Sequence, residues 1–376
     1  MRAIWILAAS LLALGAAHAQ QTVFMPIVIE VSGNGAVSGT NFRDGALMAI
    51  DEINAKGGIL KRKINAPVSD TQSNAGVSRA QVQKAIDGNP YVILGPVFSG
   101  SVKVNMLLAQ QAEIPQFTGA EAAEITQMGN DYIFRTSFGQ QMSMPKMAVF
   151  VAEGIKARSV AFLWVNNDYG KGGRDVFFKE MAKRNIKIVA DVSTESGQVD
   201  FAADIVKMKA SNADVMFIYT NEEECARVLR EARKQGVKQP IIGETNVISQ
   251  KVIDLAGETA EGVKGHVGLT ADAPIPAVQA FTQKFQARYK YVPDHNGLKG
   301  YMGVYAVKYA TEKLGKFDRK ALAKSLHGMT ITPAQEPGIL IETTWDAHGD
   351  VDRISFLVEV VKGRQKVVEI LPKLGK

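Results

Sequence analysis

Short apolar runs alternate along this chain with longer segments in which apolar residues recur every three or four positions. The run Val160–Val165 is apolar throughout, which is typical of a strand buried on both faces of a parallel sheet. After residue 41, Phe42, Ala46 and Ile53 fall on one helical face, as in an amphipathic helix. This alternation predicts an α/β protein with parallel sheets covered by helices on both faces.

The pattern occurs twice, once before residue 140 and once after it, although no residue-level repeat relates the two parts. A polar loop is predicted at Ser32–Asn41, ahead of a helix that Gly57 and Gly58 end with a left-handed cap. The other predicted helices are Val77–Ile86, Glu121–Gln127, Ser143–Glu153, Gly172–Lys183, Phe201–Ala210 and Glu223–Gln235. The predicted strands are Val23–Val31, Lys63–Val68, Tyr91–Leu94, Gln116–Thr118, Tyr132–Arg135, Val160–Val165, Ile186–Val192, Val215–Tyr219 and Ile241–Ile242.

The last third follows a different pattern. Its predicted elements are helices Ala277–Tyr289, Gly297–Leu314 and Arg319–Leu326, then strands Ile339–Thr343 and Ile354–Val361. Since 376 residues suit two domains better than three, we expect this part to cover the first domain and its final strands to join the second.

The first nineteen residues have the features of a cleaved secretion signal. Arg2 is followed by the apolar run Ala3–Leu14 and by the small-residue site Ala17–Ala19, so we expect a mature chain that begins at Gln20. No later apolar run reaches membrane-spanning length. Cys225 is the only cysteine, which leaves no internal disulfide and no lipid-anchoring cysteine after the signal. An exported, freely diffusing periplasmic protein is predicted.

The net charge of +6 becomes +5 when Arg2 is removed with the signal. The basic residues are scattered opposite acidic ones, as on an ordinary solvated surface. Because no basic cluster is interleaved with aromatic residues, we expect no nucleic-acid partner.

A candidate ligand site follows the strand at Tyr91–Leu94. A loop leads from this strand into a helix, where Ser99 and Ser101 are placed to cap the helix and Gly100 allows close approach to the backbone. The first-turn amides and the helix dipole then favour a carboxylate, and such loops lie at the ligand-binding edge of an open α/β sheet. An ordinary serine-capped turn is the alternative. Phe98 is either an apolar wall of the site or packing beneath the loop.

The segment Trp164–Gly172 is the counterpart of this loop in the second part of the chain. A buried strand ends, Asn and Asp residues form a turn, and Tyr169 precedes a helix. Tyr169 is therefore predicted to close over a ligand from the opposite side, unless it is wedged at the top of its own sheet.

Other chemical motifs are weak. Gly33–Gly39 resembles a dinucleotide fingerprint, but its third glycine comes one position late, so a loop bordering a pocket is the better interpretation. No G-x-S-x-G motif surrounds a serine. The histidines beyond the signal, His266, His295, His327 and His348, are far apart. We therefore predict no catalytic triad, no metal site and no cofactor.

Five further motifs stand out along the chain: Ser32–Gly33 with Gly39, Asp51–Ile59, Asn167–Gly172, Asp200–Phe201 and Gly257–Val263. Together they resemble the periplasmic solute-binding proteins of branched-chain amino-acid transport, the leucine/isoleucine/valine-binding type. The likeness covers essentially the whole mature chain.

The resemblance implies the type I fold of these proteins, in which two doubly wound parallel-sheet lobes are joined by a three-strand hinge. Lobe 1 would comprise residues 20–139 and 267–354, and lobe 2 residues 140–266 and 355–376. A monomer would then close around its ligand and deliver it to an ABC-type membrane permease. By the same resemblance, Ser99 binds the ligand carboxylate, the loop Gly119, Ala120 and Glu121 adds contacts, and Tyr169 lies at the cleft.

Departures from the family pattern bear on the ligand. Glu121 stands where amino-acid binders have a threonine. Asn221 and Thr245 stand where the ammonium partners are expected, although Glu222 and Glu244 are adjacent. Ser38 and Gly300 replace larger aromatic side chains. An ammonium without its buried carboxylate is unfavourable, so these changes favour an aromatic acid, with branched-chain or other apolar amino acids as the rival. A receptor sensing domain and an exported α/β enzyme are the less favoured functions.

Overall fold

The computed structural model describes residues 22–375, so the predicted signal peptide at 1–19 lies outside the described residues. The strands are β1 (Thr22–Phe24), β2 (Ile27–Ile29), β3 (Lys63–Asn65), β4 (Val68–Asp70), β5 (Ile93–Leu94), β6 (Gln116–Thr118), β7 (Ile133–Arg135), β8 (Ser159–Val165), β9 (Lys187–Thr194), β10 (Val215–Tyr219), β11 (Ile241–Glu244), β12 (Lys264–Val267), β13 (Thr330–Ile331), β14 (Thr343–Trp345), β15 (Val351–Asp352), β16 (Ser355–Val361) and β17 (Arg364–Leu371).

Most of the helices that connect these strands are those that the hydrophobic periodicity predicts. The helices are α1 (Ala36–Ala55), α2 (Ala75–Asp87), α3 (Ser99–Gln111), α4 (Gln140–Val149), α5 (Asp168–Lys183), α6 (Ala202–Ala210), α7 (Glu222–Lys234), α8 (Gln250–Ala256), α9 (Pro276–Tyr289), α10 (His295–Leu314) and α11 (Arg319–Leu326). A π-helical turn, Phe150–Ile155, continues α4.

Two sheets form the centres of two lobes. The first has five parallel strands in the order β4-β2-β5-β6-β7. The second has the order β17-β16-β12-β11-β10-β8-β9, in which β8 to β12 are parallel and β16 and β17 are antiparallel additions at one edge. The five parallel strands of each sheet follow the same doubly wound order, so the carboxyl ends of each set form one edge where ligands bind in such folds.

The chain leaves the first sheet for the second lobe after β7 and leaves the second sheet after β12. It enters the second sheet again after β15, which belongs to a separate three-stranded sheet in the order β13-β14-β15. Between the last two crossings, α9 and α10 return to the first lobe, where α10 packs along α1. The two helices approach closely at Gly45 and Gly297, where a Cβ on Gly45 would overlap the Gly297 carbonyl. The final strands β16 and β17 then extend the second sheet. The exact lobe boundaries stay a prediction.

A buried ion pair lies beside the last crossing. The side chain of Arg135, at the end of β7, is 0% exposed and contacts Asp350. Its guanidinium also donates to the Ala120 and Ala122 carbonyls, each at 2.6 Å. Asp350 accepts a further hydrogen bond from the Thr126 hydroxyl at 2.7 Å. This cluster joins β7, the loop after β6 and the segment before β15.

Some predicted elements differ from the structure. The predicted loop Ser32–Asn41 is wrong from Ala36 onward, where α1 begins. The predicted helix at Glu121–Gln127 is reduced to a 3-10 turn at Ala123–Thr126. The predicted strand Ile339–Thr343 is replaced by β14, and β17 and α8 were not predicted. The strands β14 and β17 form antiparallel pairs with neighbouring strands, and such pairing outweighs local pattern in short or edge strands. Among residues 22–375, no helix is both long and apolar enough to span a bilayer.

Candidate ligand-binding cleft

A cavity of about 190 Å³ lies between the two lobes. Loops that follow strands of the first sheet, together with the start of α10, form one wall. Loops that follow β8, β9, β10 and β11 of the second sheet form the other. Its lining residues are Asn34, Ser38, Ser73, Ala75, Val97, Phe98, Ser99, Gly100, Ser101, Gly119, Glu121, Asn167, Tyr169, Ser196, Asn221, Glu222, Asn246, His295, Asn296 and Lys299.

The first turn of α3 faces this cavity. No side chain caps the helix; Phe98 is its N-cap residue and makes no capping hydrogen bond. The predicted capping role of Ser99 and Ser101 is therefore wrong. The Ser99 hydroxyl instead accepts a hydrogen bond from the Ala122 amide at 3.1 Å, which ties α3 to the loop after β6. First-turn amides that no side chain caps are suited to bind an anion.

A buried glutamate supports this turn from behind. Glu30, 0% exposed at the end of β2, accepts hydrogen bonds from the amides of Val97 and Phe98 at 3.0 and 3.1 Å. Burial raises the pKa of Glu30, and these backbone hydrogen bonds partly oppose that shift. The loop before α3 is thus held in place by the side chain of Glu30, while Ser99, Gly100 and Ser101 in the first turn of α3 line the cavity.

Aromatic side chains border the cavity on both sides. Phe98 lines it from the first lobe, and Tyr169 lines it from the second. The ring of Tyr169 stacks on Tyr219 with centroids 4.3 Å apart, while the Tyr219 hydroxyl accepts a hydrogen bond from Gln140 at 2.8 Å. The Tyr169 hydroxyl is buried without a hydrogen-bond partner among the described residues. Burial raises the pKa of Tyr169 well above 10, so this tyrosine stays neutral.

A nearly buried ion pair crosses the first-lobe wall. Lys299 Nζ lies 2.6 Å from Glu121 Oε1, and the two side chains are 4% and 12% exposed. Lys299 also donates to the Gly119 carbonyl at 3.4 Å. Burial raises the pKa of Glu121, and the charge of Lys299 opposes that shift. The adjacent His295 is buried, and burial lowers its pKa well below 6.5, so the imidazole is neutral.

Among the polar contacts between the lobes, two lie at the cleft. At the cavity, the Ser38 hydroxyl in the first turn of α1 donates to Glu222, the first residue of α7. Burial raises the pKa of Glu222, and the Ser38 hydrogen bond opposes that shift. At the rim, Lys103 on α3 pairs with Asp168 on α5 at 2.6 Å. The structure is therefore that of a closed cleft.

A model of the family described as periplasmic binding protein matches residues 22–365. This chain belongs to that family. The resemblance read from the sequence motifs is thereby confirmed, and so is the two-lobed α/β fold class, which solved structures share.

Several relatives of this periplasmic binding protein have stated ligands. The leucine-, isoleucine-, valine-, threonine- and alanine-binding protein of Pseudomonas aeruginosa is 26% identical over 342 residues, which are 90% of each chain. The Streptococcus pneumoniae branched-chain amino acid transporter substrate binding protein, solved with isoleucine, has a TM-score of 0.84 and 24% identity and covers 94% of this chain and 100% of its own. An ABC transporter solute binding protein from Rhodopseudomonas palustris, solved with benzoate, has a TM-score of 0.85 and 18% identity, with coverages of 94% and 98%.

Most of the residues predicted for the site of this periplasmic binding protein do line the cavity. They are Ser38, Phe98, Ser99, Gly119, Glu121, Tyr169 and Asn221. The Asn221 side chain is already engaged there, because it caps α7 in a reciprocal arrangement with Glu224. Which of these residues contact a ligand stays a prediction.

The structure contradicts three placements. Gly300 faces α1, where a side chain would overlap the Phe42 carbonyl; the glycine allows close helix packing and does not enlarge the cavity. Thr245 is turned away and gives both its amide and its hydroxyl to Glu244. Ala120 is buried behind the wall, with its amide bonded to Thr118 at 3.0 Å and its carbonyl to Arg135.

The sequence analysis missed several lining residues. Glu222 was only noted as a neighbour of Asn221, yet it faces the cavity. On α10, His295, Asn296 and Lys299 share a face because residues three and four apart are neighbours on a helix. The spacing of these three polar side chains in the first two turns of α10 was the available signal. Within residues 22–375, no cluster of three His, Cys, Asp or Glu side chains suits a metal ion.

Proposed function

We propose that this chain is the periplasmic solute-binding component of an ABC-type importer and that it captures a small α-amino acid between its lobes. One observation carries the choice of ligand. The cavity combines an uncapped helix N-terminus on one lobe with the buried carboxylate of Glu222 on the other. A zwitterion has a negative and a positive group to match this pair.

The two ends of the ligand are assigned from these charges. The ligand carboxylate binds the first-turn amides of α3 at Ser99, Gly100 and Ser101, where the helix dipole stabilises an anion. The ammonium binds Glu222, which a positive partner would return to its charged form. The chain would then deliver the bound amino acid to a membrane permease.

The charge of the cavity wall argues against an acid that lacks an ammonium. Glu121 and Glu222 carry two negative charges when ionised and Lys299 carries one positive charge, so the wall sums to −1. The sequence-based preference for an aromatic acid rested on Asn221 and Thr245 standing in place of an ammonium partner. Glu222 fills that role one residue further on, so the amino acid becomes the better candidate. The aromatic acid remains the rival that the experiment below tests.

Closure is explained by a shift in populations. Glu222 bonds Ser38 across the cleft, and a ligand that contacts both lobes adds its own bridges to the closed form. A ligand can favour that form only by as much as its affinity differs between the closed and open forms.

A thermal-shift panel followed by calorimetry tests the proposal. The ligands are leucine, valine, glutamine, phenylalanine, benzoate and hydroxycinnamates, each applied to purified mature protein. A true ligand at a hundred times its dissociation constant stabilises the protein by about 2.7 kcal/mol. An amino acid should give the larger shift, and turnover of any ligand would instead favour an enzyme.

Two variants locate the ligand charges. We expect Glu222→Gln to weaken amino-acid binding by about 2–5 kcal/mol, because it removes the partner of a buried ammonium, whereas Glu223→Gln on the exposed side of α7 should have no effect. Ser99→Ala should weaken binding by about 1 kcal/mol, with Ser78→Ala as the control, since Ser78 is buried and hydrogen-bonded to Asn105 outside the cavity. Tighter binding of benzoate than of any amino acid, unaffected by Glu222→Gln, would reject the proposal.

A further inference from the structure

The side chain of Asn296 is the most unusual polar group in the cavity wall. Asn296 is 0% exposed and lines the cavity. Both atoms of its amide, Oδ1 and Nδ2, lack a hydrogen-bond partner among the described residues. Buried polar groups are almost always hydrogen-bonded. An amide with neither its donor nor its acceptor satisfied therefore indicates a partner that binds from the cavity.

The start of α10 holds this amide in place. Asp294 caps the helix and accepts the Asn296 backbone amide at 2.7 Å. One turn further on, Lys299 lies on the same side of the helix and is occupied by Glu121 at 2.6 Å. The side chains of Asp294 and Lys299, before and after Asn296, are thus engaged in other contacts. Because both amide atoms are unpaired, rotating the Asn296 amide by 180° still leaves one free donor and one free acceptor at the cavity.

The remaining wall combines polar side chains with apolar surface. Beside the Tyr169 ring, the apolar side chains that line the cavity are those of Ala75, Val97 and Phe98. A purely aliphatic ligand side chain would fill this space while leaving the Asn296 amide unpaired. Sites built to hydrogen-bond a ligand reject analogues that lack the matching group for this reason.

We infer that Asn296 determines specificity for an amino acid whose side chain ends in a carboxamide. This inference rests on the proposed function for the carboxylate and ammonium ends of the ligand. A carboxamide offers one donor and one acceptor side by side, so it can pair with both atoms of the Asn296 amide at once. A side-chain carboxylate would bring a second acceptor against Oδ1, and an aliphatic group would pair with neither atom.

The test compares L-glutamine, L-asparagine, L-glutamate and L-leucine by calorimetry on the mature protein. We expect one of the two carboxamides to bind at least about tenfold more tightly than leucine and glutamate. In Asn296→Leu that preference should disappear, with leucine binding unchanged or tighter. Asn296→Asp keeps the shape of the side chain and removes the donor, so it should also lose about tenfold in carboxamide affinity.

The stability of the unliganded protein gives a second readout. Because neither amide atom is paired in the absence of ligand, Asn296→Leu should melt at the same temperature as the original protein or higher. A clear fall in melting temperature with an unchanged ligand preference would mean that the amide serves only the fold or an internal water, and would overturn the inference.

The two proposals fail in different ways. If leucine and glutamine bind equally and both depend on Glu222, the carboxamide inference is wrong and amino-acid capture stands. If no amino acid binds, both are wrong.

Discussion

Two buried ion pairs lie in different surroundings. Arg135 and Asp350 belong to a structural cluster, whereas Lys299 and Glu121 form part of the cavity wall. The Arg135 guanidinium is fully enclosed and donates to two backbone carbonyls in addition to Asp350. Lys299 has Glu121 and one distant carbonyl, and both members of the pair line the cavity. The difference indicates that the first pair joins chain segments at the crossing between lobes, whereas the second remains able to respond to a ligand.

The largest expected effect on stability comes from breaking the buried Arg135–Asp350 pair. Arg135→Met leaves the buried Asp350 without its cationic partner and removes the Arg135 hydrogen bonds to the Ala120 and Ala122 carbonyls, so we expect a loss of about 3–5 kcal/mol in unfolding free energy. Chemical denaturation of the unliganded protein measures it. Arg174→Met is the matched control, because Arg174 pairs with Asp191 at the surface, where its side chain is 28% exposed, and should lose at most about 1 kcal/mol. Equal losses in the two variants would contradict the contrast.

Breaking the Lys299–Glu121 pair should lower the unfolding free energy by less than breaking the Arg135–Asp350 pair does, and the loss should depend on pH. In Lys299→Met the carboxyl of Glu121 can take up a proton, since burial already raises its pKa. A carboxyl with a raised folded-state pKa contributes stability at low pH and loses it as pH rises through that pKa. Relative to the original protein, the variant should therefore lose on the order of 1 kcal/mol more stability between pH 5 and pH 8. The double variant with Glu121→Gln should remove that additional dependence; if it persists there, another group is responsible.

The smallest effect is expected at the rim of the cleft. Lys103→Ala removes the ion pair with Asp168 that joins α3 to α5. Partly exposed pairs contribute about 0.2–1 kcal/mol, so ligand affinity should fall by no more than about fivefold, and less at high salt. Lys320→Ala is the control, because its pair with Glu113 lies within one lobe at 2.7 Å. An identical change in the control would show that Lys103 does not act through closure.

Much of the architecture could be predicted because it depends on local periodicity. The helical face of Phe42, Ala46 and Ile53 is buried, and Gly57 and Gly58 have positive φ values of 102° and 84° after α1. Strand β10 begins and ends where the apolar run does. These features need only the 3.6-residue and two-residue repeats and the conformational freedom of glycine.

The candidate site was predictable only where it follows a strand directly. Ser99 and Tyr169 come just after β5 and β8, and the edge rule for open sheets brings both to the cleft. Gly300 could not be interpreted in this way, because whether a helical glycine faces a cavity or a neighbouring helix depends on how α10 packs on α1. The loops after β10 and β11 were uncertain for a similar reason, because a shift of one residue decides which side chain faces the other lobe. Glu222 lines the cavity beside Asn221, and Thr245 does not line it.

The amino-acid sequence by itself determined two successive α/β sheets, the family and the loop that leads from β5 into α3. The tertiary structure decided that no side chain caps α3. The tertiary structure alone decided that Glu222, Asn296 and Lys299, distant along the chain, face the same cavity. The physical reason is that backbone periodicity is local, whereas the partners of a buried charge or amide come from whichever segments the packed helices and the closed lobes bring within hydrogen-bonding distance.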